Sequence, residues 1–155
     1  MKIYSYVSML RDNGNPYLES SREFKVDGRR TYMNPEAVAE FIYSGLKLDR
    51  CADEYTYCLC LDSKGHLIGL FEVSHGTVNG TVVSPREVYQ KALLLGAVSI
   101  ILTHNHPSGD PTPSGDDVTV TRKVKEAGKL VDVPLLDHVI VARSGYYSMQ
   151  SEGVI

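Results

Sequence analysis

The residues best equipped for chemistry lie between His104 and Asp117. Two imidazoles stand one residue apart, seven residues follow, and then comes Ser114-x-x-Asp117. Two imidazole nitrogens and one carboxylate oxygen are a donor set for catalytic zinc, with the fourth position left open for water. The pKa of such a water falls to about 7, so hydroxide is available at neutral pH. The chemistry then needs a proton carrier, and Glu54, far upstream, is the candidate general base. Ser114 is a candidate hydrogen-bond donor to a developing oxyanion. Each half of the pattern is weak alone: His-x-His on a strand is often only polar surface, and Ser-x-x-Asp is often only a helix cap. Joined by a rigid Pro/Gly segment, the two halves together point to a bound metal.

The elements that must position these side chains can be read around them. Residues 98–103 are β-branched and mostly apolar, which predicts a buried strand. If that strand continues, His104 and His106 project from one face and Asn105 from the other. Residues 107–113 are all turn formers and predict a loop over the imidazoles. Ser114 is a good N-cap, and Asp117 falls at the carboxylate position of a capping box. Val118, Val120, Val124, Ala127 and Leu130 continue a helix from there. Glu54 opens a strand over 54–61, which can lie beside the 98–104 strand and bring the carboxylate to the metal. Asp137-His138 sits inside an apolar strand, where neighbours face opposite ways. The expectation is a structural role for both, with His138 hydrogen-bonded to backbone and Asp137 orienting a nearby group. His75, beside Gly76 near a strand end, is also expected to be structural.

The run His104-x-His106-Pro107-Ser108-Gly109-Asp110-Pro111-x-Pro113-Ser114-x-x-Asp117 resembles the JAMM (MPN+, or JAB) metal motif in its RadC-type bacterial form. Val83-Ser84-Pro85-Arg86-Glu87-Val88 is similar to the segment before that family's second helix, and Leu135-Leu136-Asp137-His138-Val139-Ile140-Val141 to its closing strand. The resemblance runs over residues 35–149. It implies an α/β fold: a three-layer α-β-α, cytidine-deaminase-like (JAB/MPN) domain with a mixed central sheet. It also implies a zinc hydrolase that cuts peptide or isopeptide bonds, often next to ubiquitin-like modifiers, with one Zn2+ per chain. The family's glutamate maps onto Glu54, its histidines onto His104 and His106, its serine onto Ser114 and its aspartate onto Asp117. None of the five is missing.

Two departures bear on the substrate. Longer RadC-type proteins carry an N-terminal helix-hairpin-helix region linked to DNA, for which residues 1–33 leave no room. The eukaryotic deubiquitinases carry insertions that grip ubiquitin, whereas the interval from Glu54 to His104 is compact. The substrate therefore does not carry over from either group. The expected partner is a protein or peptide, bound extended as a strand added to a sheet edge. The alternative is a RadC-like accessory protein of DNA repair or mobile-element maintenance without peptidase activity. A third reading, a zinc nucleoside deaminase, is disfavoured by the lack of His-x-Glu and Pro-Cys-x-x-Cys elements.

The remaining composition bounds the class. At 155 residues the chain can bury about 70% of its unfolded surface, enough for one self-sufficient core. The first ten residues alternate polar and apolar, so neither a signal peptide nor a membrane span is read there, and a cytoplasmic location is expected. Cys51, Cys58 and Cys60 form no CxxC pair and are expected to be free, mostly buried thiols. Net charge is −3; residues 1–50 carry eight Lys/Arg against seven Asp/Glu, and residues 51–155 eight against twelve. Neither half has the basic stripe that phosphate neutralisation demands, so direct nucleic-acid binding is not expected. Arg122, Lys123, Lys125 and Lys129 read as a solvated helix face.

Residues 1–33 read as an N-terminal extension: a strand at 2–10, a turn over 12–16 and a second strand at 22–26. They form a hairpin that either adds to the sheet or pairs with another subunit in a homodimer. The domain proper is expected over 34–155. Asn34-Pro35 starts a helix that runs to about 47, and Asp62-Ser63-Lys64-Gly65 turns between strands 54–61 and 66–73. Ser84 caps the next helix, with Glu87 at its third position, that runs to 95.

Overall fold

The computed structural model describes residues 1–76 and 83–155. Its strands are β1 (Lys2–Leu10), β2 (Pro16–Lys25), β3 (Glu54–Leu61), β4 (Leu67–Gly76), β5 (Ser99–Asn105), β6 (Leu135–Ala142) and β7 (Gly145–Ser148). Its α-helices are α1 (Pro35–Phe41), α2 (Pro85–Leu94) and α3 (Gly115–Leu130). The strands form one sheet in the order β2-β1-β4-β3-β5-β6-β7. β1 with β4 and β5 with β6 run parallel, and the other neighbours run antiparallel. The sheet is therefore mixed, and the α/β class expected from the sequence holds.

The layers follow from strand alternation. Leu59 and Leu61 of β3, Ile101 of β5 and Val139 and Val141 of β6 pack with Ala37, Val38 and Phe41 of α1. Cys58 and Cys60, on the other face of β3, pack with Ile100 and Leu102 of β5, Val88 and Ala92 of α2 and Val124 of α3. All seven residues of β5 are buried. That explains why residues 98–103 read as mostly apolar without alternation: both faces of this central strand are covered. The three cysteines are free, Cys58 and Cys60 fully buried and Cys51 partly so.

Three local details differ from expectation. The first helix stops short of 47. Asn34 accepts a hydrogen bond from the Ala37 amide and Pro35 opens the helix, but after Phe41 the backbone widens into a π turn over Ile42–Leu46. Gly45 sits there under the Phe41 ring, where a Cβ would come within 3.1 Å of it, and Lys47 ends the turn in the left-handed region at φ 57°. Ser84 takes the N-cap backbone position of α2, yet its side chain makes no capping hydrogen bond. β2 begins at Pro16, well before 22, because the Asp12–Pro16 turn is tight: Arg11 N donates to Asn15 O, and Gly14 takes φ 80°. The β1–β2 hairpin also reaches the core. Ile3 and Phe24 are buried on the α1 side, and the Phe24 and Tyr32 rings meet Phe41 edge-on at 5.7 and 5.8 Å.

Candidate metal centre

The strand β5 ends where the chemistry begins. His104 lies on it, and His106 follows one residue beyond its end; both rings project on the α3 side of the sheet. The two Nε2 atoms lie 2.9 Å apart. Asp117, in the first turn of α3, places Oδ1 3.3 Å from His104 Nε2 and Oδ2 3.5 Å from His106 Nε2. One donor atom from each of the three falls within 4.8 Å of the others. Two consecutive elements, β5 and α3, and the loop between them thus deliver three donors to one point.

Each donor is held by its own partner. His106 Nδ1 lies 2.8 Å from the Asp110 carbonyl. A carbonyl can only accept, so Nδ1 carries the hydrogen, and the neutral ring turns a bare Nε2 lone pair inward. Gly109, at φ 93°, lets the 107–113 loop fold back to present that carbonyl. Asp117 is held by the reciprocal capping box: Ser114 N and Ser114 Oγ donate to Oδ2 at 2.7 and 2.6 Å, and Asp117 N donates back to Ser114 Oγ at 3.1 Å. In this arrangement the Ser114 hydroxyl points its hydrogen at Asp117 Oδ2.

Burial by itself would raise the Asp117 pKa, but hydrogen bonds from His104, His106 and Ser114 hold it well below the usual carboxylate range. His106 is pushed up, chiefly by its hydrogen bond to Asp117, with the charge of Glu54 adding to the effect. A full negative charge therefore faces two imidazoles across a small gap. Positive charge belongs in that gap, carried by imidazole protons in the metal-free protein. Two nitrogens and a carboxylate are also the donor set of a borderline divalent cation such as zinc. The residues present fit such an ion.

Glu54 opens β3, which pairs antiparallel with β5 in a register that sets Thr56 opposite His104. Carried two residues past that pair, the same register would set Glu54 opposite His106, on the same face. The geometry explains how a residue so distant in sequence acts on the His106 ring. Asn105, which projects from the other face, fixes this end of β3. Its Oδ1 accepts from Tyr55 N at 2.8 Å and its Nδ2 donates to Asp53 O at 3.0 Å, so it grips the residues on either side of Glu54. A cleft of ≈ 620 Å³, lined by Asp49, Arg50, Cys51, Ala52, Pro107 and Arg143, lies beside the turn after His106.

One residue of the centre departs from its expected contact. His138 is buried, but its partners are side chains, not backbone: Nε2 lies 2.7 Å from His104 Nδ1 and Nδ1 lies 2.6 Å from Thr121 Oγ1. Burial, then the neighbouring His104, keeps its pKa well below the ordinary value. Asp137 does orient a nearby group, accepting from Ser148 Oγ and Gln150 N at the β7 end. His75 stacks on Tyr55 at 4.1 Å between ring centroids and lies 3.3 Å from Asp53.

A family model described as the RadC-like JAB domain matches residues 32–154. Among curated relatives, a "UPF0758 protein" of Pelobacter propionicus is 43% identical over 115 residues, covering 74% of this chain and 50% of the relative. One of Thermotoga maritima is 38% identical over 133 residues, covering 81% and 60%. One of Methanosarcina barkeri is 38% identical over 132 residues, covering 85% and 57%. The chain thus spans about half to three fifths of the length of these relatives.

Proposed function

The chain belongs to the RadC-like JAB domain family, and from that membership and the geometry of the site we propose that it is a zinc-dependent hydrolase cleaving a peptide or isopeptide bond. The observation that carries this reading is the convergence of His104 Nε2, His106 Nε2 and the Asp117 carboxylate on one point, on the face where Glu54 begins its strand. A zinc ion held by His104, His106 and Asp117 would supply Lewis acidity toward the scissile carbonyl and a water of lowered pKa.

The chain's own residues account for the other steps. Glu54 takes the proton of the attacking water and passes it to the departing amine. Asp110 holds His106 with its Nε2 facing inward, and Ser114 holds Asp117. When substrate is bound, the Ser114 hydroxyl turns from Asp117 to donate to the tetrahedral oxyanion. The substrate is a protein or peptide lying extended, its main chain adding to a strand.

The test is the Glu54→Gln variant, which keeps the shape and loses the base. It should bind zinc as the wild type does and lose hydrolysis by about 10²–10⁴-fold. It should therefore retain its substrate, so that protein captured from the native cell can be identified by mass spectrometry and returned to the wild-type enzyme for cleavage. Cleavage of that protein by Glu54→Gln at the wild-type rate removes Glu54 as the general base.

A further inference from the structure

His104 does not hand its second nitrogen to a carbonyl or a carboxylate. Its Nδ1 lies 2.7 Å from His138 Nε2, His138 Nδ1 lies 2.6 Å from Thr121 Oγ1, and Thr121 Oγ1 lies 2.5 Å from the Asp117 backbone carbonyl. The chain begins at one metal-ligand candidate and closes on the backbone of another. Thr121 is fully buried and His138 and His104 are each 2% exposed.

The direction of this chain has one solution. The Asp117 carbonyl can only accept, and two oxygens 2.5 Å apart need a proton between them. Thr121 has one hydroxyl proton, so it is committed there. Toward His138, Thr121 can then only accept, which places the hydrogen on His138 Nδ1. His138 has no carboxylate among its hydrogen-bond partners, and in so dry a place its ring is neutral. Its Nε2 is therefore bare and accepts from His104, which must carry its hydrogen on Nδ1. In the neutral ring His104 then has a bare Nε2 aimed at His106 and Asp117. A buried hydroxyl is costly unless it is used, and an isosteric Val would fill the same space. The position of Thr121, four residues after Asp117 on α3, gives the hydroxyl this use.

We propose that Thr121 and His138 are positioning residues that fix His104 in the tautomer whose Nε2 serves the metal. The inference rests on the metal-site reading of His104, His106 and Asp117. It concerns tautomer selection and hence zinc affinity, and requires no substrate to test.

Side-chain ¹⁵N NMR of the full chain, metal-free and with zinc, reads the tautomers directly. His138 should carry its hydrogen on Nδ1 in both states. Zinc affinity, measured by competition with a chromophoric chelator, should weaken about 10–100-fold in Thr121→Val. Thr121→Ser, which keeps the hydroxyl, should restore affinity to near the wild-type value. A purely structural role would lower the melting temperature of folded Thr121→Val and leave its zinc affinity unchanged, and that result overturns the inference alone. So does a wild-type His138 protonated on Nε2, a measurement that stands even if Thr121→Val does not fold. A wild-type chain that binds no zinc overturns the metal-site reading and this inference with it.

Discussion

Asp117 serves two arrangements at once. Its carboxylate closes the N-terminal capping box of α3 and also faces both imidazoles. The double use explains why a short local pattern revealed most of the site: the spacing that makes a good helix cap also aims the carboxylate. His138 and Thr121 were not legible in the same way. Their contact joins a strand to a helix, and a lone histidine in an apolar strand gives no local sign of its partner. The one available clue was the four-residue step from Asp117 to Thr121. The titrations make a further prediction. The His106 pKa is raised above 6.5, so its stabilising interaction with Asp117 is fully present below 6.5 and is lost as pH rises through the raised value. His138 is lowered below 6.5 and acts only on the acid side, where stability falls as pH drops. Metal-free protein should therefore melt at progressively lower temperature as pH rises from about 6.5. The extra stability given by saturating zinc should grow over the same interval, because binding requires His106 deprotonated. Differential scanning fluorimetry with and without zinc measures both slopes, and His106→Gln should flatten the first.

Strand β3 brings a distant glutamate to the site, and Asn105 holds it there. The strand itself was legible, since Glu54–Leu61 shows strand composition and its end coincides with the Asp62 turn, where Gly65 N donates to Asp62 O at 3.0 Å. The clamp was not, because the sequence shows only that Asn105 faces away from the histidines. Asn105→Ala would leave the Tyr55 amide and the Asp53 carbonyl without that partner. It should cost about 1–3 kcal/mol, read by urea denaturation, with the largest rise in amide hydrogen exchange at Tyr55. Zinc affinity should stay close to wild type, because His104, His106 and Asp117 are untouched, while the proposed hydrolysis should fall if Glu54 is its base. The end of α1 was misjudged for a different reason. Ile42 and Leu46 keep helical spacing as far as the π turn, and only Gly45 and Lys47 mark where it departs from a regular helix.

The described residues of the molecule form one mixed sheet with a helix layer on each side, and the candidate metal centre sits at the end of its most buried strand. The layered arrangement was expected from the family resemblance, and the apolar run over residues 98–103 marked the strand that both layers cover. The weight of the first thirty-three residues was not, because Ile3 and Phe24 lie in strands of mixed polarity and reveal their burial only when α1 is in place. Phe24→Ala should destabilise the fold by about 3–5 kcal/mol, measured by urea denaturation, although it lies far from the histidines in sequence. Among the described residues no helix is long and apolar enough to cross a membrane. The central claim concerns one ion per chain, and native mass spectrometry of the intact protein with added zinc tests it most directly. The account predicts a single zinc on each wild-type chain and none on a folded His104→Ala/His106→Ala double variant. A wild-type chain that emerges without zinc, or a double variant that retains it, would contradict the account.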